Sequence, residues 1–111
     1  EDIEIMILDL RTKLAKKDFY TAKLYIKLEE FDAAIIYYDN IINDYYDTKY
    51  VNSALANVAL LYCIDNIDKA EVYLDSHKDN FLNYINYENV FNLIQSLDEN
   101  KDESYYLSFL K

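Results

Sequence analysis

Apolar and polar positions alternate along most of this chain with the 3.6-residue period of amphipathic helices and not the two-residue period of strands. Residues 3–17 carry Ile3, Ile7, Leu10 and Leu14 at four-, three- and four-residue steps with charged residues between them. Nothing breaks that pattern before Leu28, so one long helix is predicted over 3–28, its first half covering the open end of whatever packs beside it. Glu29 and Glu30 form a turn, and a second helix follows over 31–45, where Ala34, Tyr38, Ile41, Ile42 and Tyr45 fall on one face. Small residues here have a packing meaning. Ala22 and Ala34 leave room for two helix backbones to approach closely, while Tyr25, Phe31 and Tyr38 fill the space around them.

Tyr46 to Tyr50 reads as a loop in which Asp47 or Thr48 serves as N-cap for the next helix. A second pair is predicted over 50–64 and 67–77, with Ala54, Leu55, Val58, Ala59 and Tyr62 on its first arm and Ile67, Ala70, Tyr73 and Leu74 on its second. The three-residue step of Ala59 to Tyr62 repeats that of Ala22 to Tyr25, and Ala70 follows Ala34 at a distance of 36. After His77 the pattern fades. A terminal, degenerate pair is expected over 87–97 and 103–110, with Val90, Phe91, Ile94 and Leu97 on the first arm and Tyr106, Phe109 and Leu110 inward on the second. Degeneracy suits an end unit, because one of its faces meets water.

The series Ala22, Tyr25, Phe31, Ala34, Tyr38 resembles the small–aromatic signature of a tetratricopeptide repeat. That resemblance implies an all-α fold over 1–111: a single helical repeat domain, a tetratricopeptide-like stack of about three antiparallel helix pairs, or α-solenoid. The segments KLAKKDFYTAKLYIKLEEFDAAI and YYDTKYVNSAL are closer still to one branch, and the chain resembles the BamD family, the outer-membrane lipoproteins of the β-barrel assembly (BAM) machinery. It departs from that family's pattern at Tyr46, where proline is usual, and at Glu29, where glycine is usual. The likeness runs over nearly the whole chain but corresponds to the C-terminal half of longer members. It implies a non-catalytic scaffold at the periplasmic face of the outer membrane, docking on the periplasmic POTRA domains of the insertase, with other assembly lipoproteins as further partners. Membrane attachment would come through an N-terminal lipid anchor outside this chain. The alternative is a generic tetratricopeptide-repeat adaptor that grips a peptide segment of an unrelated partner.

Composition sharpens the picture. The chain has no glycine and no proline, which excludes glycine-rich phosphate loops and the tight hairpin turns that need positive φ. Positive φ at helix ends is then expected from Asn or Asp. The net charge of −10 argues against nucleic acid as a partner. The charge is uneven, however: residues 11–27 hold six of the eleven basic residues and one acid, Asp18, a local balance of +5. Lys16, Lys23 and Lys27, spaced by seven and four, share one side of the long helix. In the repeat family the equivalent positions line the concave, partner-gripping surface, and Leu60 and Ile64 fall on the corresponding side of the second pair. Together these five residues form the candidate partner-binding set; the competing expectations are an ordinary solvated lysine face, and a Leu60 and Ile64 covered by the last helices.

Residues that could carry chemistry are few. Cys63 is the only cysteine, so neither an intramolecular disulfide nor a cysteine metal cage is possible. His77 has no acid–base partner at an interpretable spacing and is expected near a helix C-terminus. Asp98, Asn100 and Asp102 match the first, third and fifth positions of a calcium loop, but Glu103 replaces its glycine and Phe109 its closing glutamate. The uncharged run from Tyr50 to Ile64 is shorter than a membrane span requires. No catalytic residue, cofactor or metal ligand is therefore assigned.

Overall fold

The computed structural model describes residues 2–111. Its elements are α1 (Ile3–Lys27), α2 (Phe31–Asp44), α3 (Val51–Cys63), α4 (Ile67–Ser76), a 3₁₀ turn (Lys78–Asn80), α5 (Tyr84–Ser96) and α6 (Glu103–Leu107). The fold is all-α and of tetratricopeptide-like character. Backbone contacts group the chain into two compact units, one ending at Ala54 and the other spanning Leu55–Lys111, so that the first turn of α3 belongs with α1 and α2.

In the first unit α1 and α2 form a helix hairpin. Asp2 caps α1, its Oδ1 accepting the Glu4 backbone N–H at 2.9 Å, which satisfies one of the donors a helix start leaves open. Ala15, Phe19 and Ala22 are the buried face of α1, and Ala34, Tyr38, Ile41 and Ile42 that of α2. Ala22 and Ala34 are completely buried, as close backbone approach requires. Around them Phe19 meets Tyr38 edge-on at 5.7 Å, and Tyr25 stacks on Tyr37 at 5.4 Å. Full burial of a side chain such as Ile41 contributes about 1.5–3 kcal/mol.

The hairpin turn answers the missing glycine in an unexpected way. Glu29 takes a left-handed backbone with φ 58°, and Asn100 is the other described residue with positive φ, at 59°. Asparagine was the expected residue type; glutamate was not. Its side chain is exposed, so nothing but the backbone resists the conformation, and the hydrogen bond of Glu30 N to Tyr25 O closes the turn.

The first half of α1 does not fulfil its expected covering role. Ile3, Ile7, Leu10 and Leu14 are all exposed. The reason lies in length: α1 has 25 residues and α2 has 14, about 37 Å against 21 Å at 1.5 Å per residue. The hairpin therefore pairs α2 with the second half of α1, and Arg11 marks the last point of contact.

In the second unit Asn66 caps α4 through its side chain to Lys69 N. Tyr62 of α3 meets Tyr73 of α4 edge-on at 5.2 Å, and α4 packs against α5. Helix α5 begins at Tyr84, three residues before the expected start, because the Asn83 side chain accepts the Asn86 N–H at 2.9 Å and caps the helix there. Helix α6 stops at Leu107; Tyr106 is buried as expected, whereas Phe109 and Leu110 are half-buried. The Tyr106 hydroxyl donates to the Asp98 carbonyl at 2.7 Å and ties α6 to the preceding turn. Near the C-terminus, Lys111 N–H donates to Oδ1 of the fully buried Asn57 at 2.8 Å.

Candidate partner-binding face

Helix α1 turns its small and aromatic residues toward α2, and this leaves its lysines on the outside. Lys16 and Lys27 are exposed. Lys23 is half-buried, with its ammonium 5.0 Å from the Phe19 ring centre and 5.8 Å from that of Tyr20, a cation–π arrangement that holds the charge over the aromatic surface. The lysines expected to share a side therefore differ: two reach into solvent and one lies folded along the helix. Among the described residues the ion pairs are Arg11–Asp47 and Lys69–Asp65, and neither takes Lys16, Lys23 or Lys27.

Asp18, the acid within this basic stretch, has its pKa raised, first by burial and then by the nearby Asp44 carboxylate, against the opposing pull of Lys17.

Arg11 plays a different part from the one its place in the basic run suggests. Its Nη2 donates to the Asp44 carbonyl at 2.7 Å and to Asp47 Oδ1 at 2.8 Å, and Nε donates to the same oxygen at 3.1 Å. The guanidinium also lies 5.7 Å and 5.4 Å from the ring centres of Tyr45 and Tyr46. One side chain thus satisfies an open carbonyl at the C-terminus of α2, complements its dipole and orders the loop beyond it. The Arg11 hydrogen bond holds the Asp47 carboxyl below its ordinary value. Asp47 stands four residues before Val51, where α3 begins, and so lies outside the N-cap position. Thr48 is buried, donates its hydroxyl to the Tyr45 carbonyl at 2.8 Å, and stands three residues before α3 begins, so it too lies outside the N-cap position. The only signal for this clamp was that the chain's single arginine and the Tyr45-Tyr46-Asp47 run are both present.

The second expected patch needs correction. Leu60 is 0% exposed and belongs to the core, and Ile64 is half-buried at the end of α3. Helix α3 carries eight consecutive buried residues, from Ala54 to Leu61. Of the packing residues, Ala59 and Ala70 are fully buried and Tyr25, Phe31 and Tyr62 are half-buried.

His77 and Asp102, singled out by the sequence, have structural partners. His77 is the C-cap of α4, with Nδ1 2.9 Å from the Tyr73 carbonyl and its ring stacked on Tyr73 at 4.0 Å. Asp102 caps α6, accepting from Tyr105 N and Ser104 Oγ. Among the described residues no group of three His, Cys, Asp or Glu could hold a metal ion. Burial, with a smaller contribution from Glu71, pushes the Cys63 thiol up to about 11, which keeps it protonated and unreactive. A concavity of about 430 Å³ in the second unit is lined by Cys63 to Asp68, Glu99 to Lys101 and Tyr106. Its polar rim is made of turns and has no convergent acid–base pair.

The family model described as outer membrane lipoprotein, YfiO, matches residues 1–78. The chain belongs to that family. The match covers α1 to α4 and therefore the whole lysine-bearing hairpin, while α5 and α6 lie beyond it. Comparison with curated proteins and with solved structures gives no match. Membership in the YfiO family associates the chain with the outer membrane. Among the described residues no helix is long and apolar enough to cross a membrane.

Proposed function

We propose that this YfiO-family chain is a BamD-type scaffold component of the outer membrane protein assembly complex, related to the C-terminal half of longer members. It docks on periplasmic POTRA domains of the β-barrel insertase and supports the folding and insertion of outer-membrane proteins by binding alone. It works at the periplasmic face of the membrane, held there by a lipid anchor outside residues 1–111, and other assembly lipoproteins are secondary partners. The observation that carries this reading is the family match over residues 1–78, which spans the hairpin bearing the exposed lysines.

The contact falls to Lys16 and Lys27, with Lys23 beside them. In a chain of net charge −10, a local cationic strip fixes the side from which an acidic partner approaches. Leu60 takes no part, and Ile64 contributes at most the edge it leaves open. In this reading the scaffold acts without catalysis; His77, Asp102 and Arg11 serve a helix C-cap, a helix N-cap and a loop clamp.

Calorimetry of the purified chain with the POTRA region of the insertase from the same organism, at two salt concentrations, tests the proposal. Saturable binding that weakens with salt is the expected result. Absence of binding to a folded POTRA region would remove the insertase and leave a repeat adaptor for another partner.

A further inference from the structure

Exposed apolar residues crowd the first half of α1, where Ile5, Met6 and Leu8 are exposed as well, but one series continues along the whole helix. Ile3, Ile7, Leu10, Leu14, Leu24 and Leu28 follow one another at four- and three-residue steps, with Lys17 and Thr21 completing the series between Leu14 and Leu24. This is the 3.5-residue repeat of a coiled-coil seam, with Ile7, Leu14, Thr21 and Leu28 at one core position and Ile3, Leu10, Lys17 and Leu24 at the other. The six apolar members range from 39% exposed at Leu14 to 69% at Ile3. The seam lies on the side of α1 opposite its buried face of Ala15, Phe19 and Ala22 and runs the helix's full length, about 37 Å. A stripe of this extent on a soluble surface marks an interaction site.

We propose that α1 is a self-association helix whose seam pairs antiparallel with the same seam of a second copy of this chain. Charge and register select that occupant and that direction. The described acids at the start of α1, Asp2, Glu4 and Asp9, precede every base of the helix, whereas residues 11–27 carry a balance of +5. Antiparallel pairing lays the acidic end of one helix beside the basic end of the other; parallel pairing sets like against like. The register closes as well. With Ile3 opposite Leu28 of the second copy, Ile7 falls opposite Leu24, Leu10 opposite Thr21 and Leu14 opposite Lys17. Every layer then holds an apolar residue from at least one helix, and the Lys17 stem covers Leu14 while its ammonium leaves for water. In a parallel pair Lys17 would meet Lys17 in the same layer. Lys16 lies roughly a third of a turn round the helix from the seam, whereas Lys27, three residues after Leu24, flanks its edge; the pairing rests on the apolar series and stands or falls without the POTRA contact.

Sedimentation equilibrium of the full chain over a wide range of loading concentrations tests the pairing. The expected result is a reversible doubling of the 13.2 kDa mass, lost in Leu10→Asp and Leu24→Asp while the helical circular-dichroism signal is unchanged. Substitution at exposed seam positions leaves the monomer fold intact, so loss of the dimer in these variants reports the seam itself. A wild-type chain that remains monomeric at every concentration overturns the proposal, as does a dimer that survives both substitutions. Direction is read by cross-linking in a Cys63→Ser background. A mixture of Ile3→Cys and Leu28→Cys chains should give the mixed disulfide; cross-linking of Ile3→Cys chains to each other alone would overturn the antiparallel arrangement.

Discussion

At the scale of single residues, two positions carry local costs or gains that can be measured separately. Glu29 holds φ 58° with a Cβ that the left-handed region disfavours by about 1–2 kcal/mol. Glycine removes that cost and returns part of it as unfolded-state entropy, about 0.5–1 kcal/mol. Glu29→Gly is therefore expected to stabilise the chain by on the order of 0.5–1 kcal/mol, read as a higher urea midpoint with an unchanged slope. Arg11 gives a prediction in pH. Asp47 has a lowered folded pKa because Arg11 donates to it, so the clamp's contribution is present above the unfolded carboxylate value, about 4. It is lost as pH falls through the lower, folded value. Arg11→Gln should lower the melting temperature at neutral pH, and the difference from wild type should shrink as the solution is acidified below that range. A constant difference at all pH values would show that the Arg11–Tyr45–Tyr46 packing, and not the ion pair, is what the substitution removes.

At the scale of elements, the spacing of Ala22, Ala34 and Tyr38 makes the α1–α2 hairpin legible in the sequence, because small residues at a crossing and aromatics around it are a direct record of interhelical distance. Ala34 is fully buried where α2 meets α1. Ala34→Leu should overpack that contact and cost about 1–3 kcal/mol, measured by chemical denaturation; an unchanged midpoint would mean the helices can separate to admit the extra carbons. Helix ends were less legible. The start of α5 was missed by three residues because Tyr84 and Ile85 are exposed and so carry no inward period; the Asn83 cap that sets the boundary looked like one asparagine among many. The Asp47 and Thr48 cap failed for a different reason. A capping residue is recognised by its chemistry, but α3 begins only at Val51, beyond both residues, and Asp47 is held instead by Arg11, 36 residues away, a partner that no local pattern announces.

At the scale of the whole molecule, periodicity established that the chain is helical and which residues are apolar, but not which apolar faces find cover. Leu60, expected at a binding surface, is interior, and Ile3 to Leu14, expected to cover the end of the stack, are exposed. Both expectations assign burial by position within a repeat, whereas the start of α1 is exposed because α1 outruns α2 and Leu60 lies within a continuous buried run of α3. For the lysine strip burial decides nothing, because charge needs no cover: Lys16 and Lys27 are exposed on a molecule of net charge −10. That contrast makes its role measurable. Reversing both charges, Lys16→Glu with Lys27→Glu, leaves the buried face of Ala15, Phe19 and Ala22 untouched, so the helical signal and melting behaviour should stay close to wild type. Binding to the POTRA region should weaken by about tenfold or more at low salt, the equivalent of roughly 1.4 kcal/mol, and the remaining affinity should depend less on salt. Lys23→Glu should behave otherwise. It removes the cation from the Phe19 and Tyr20 rings and so lowers stability as well as affinity. Wild-type affinity in the Lys16/Lys27 pair, with the salt dependence intact, would move the cationic contact off α1 altogether.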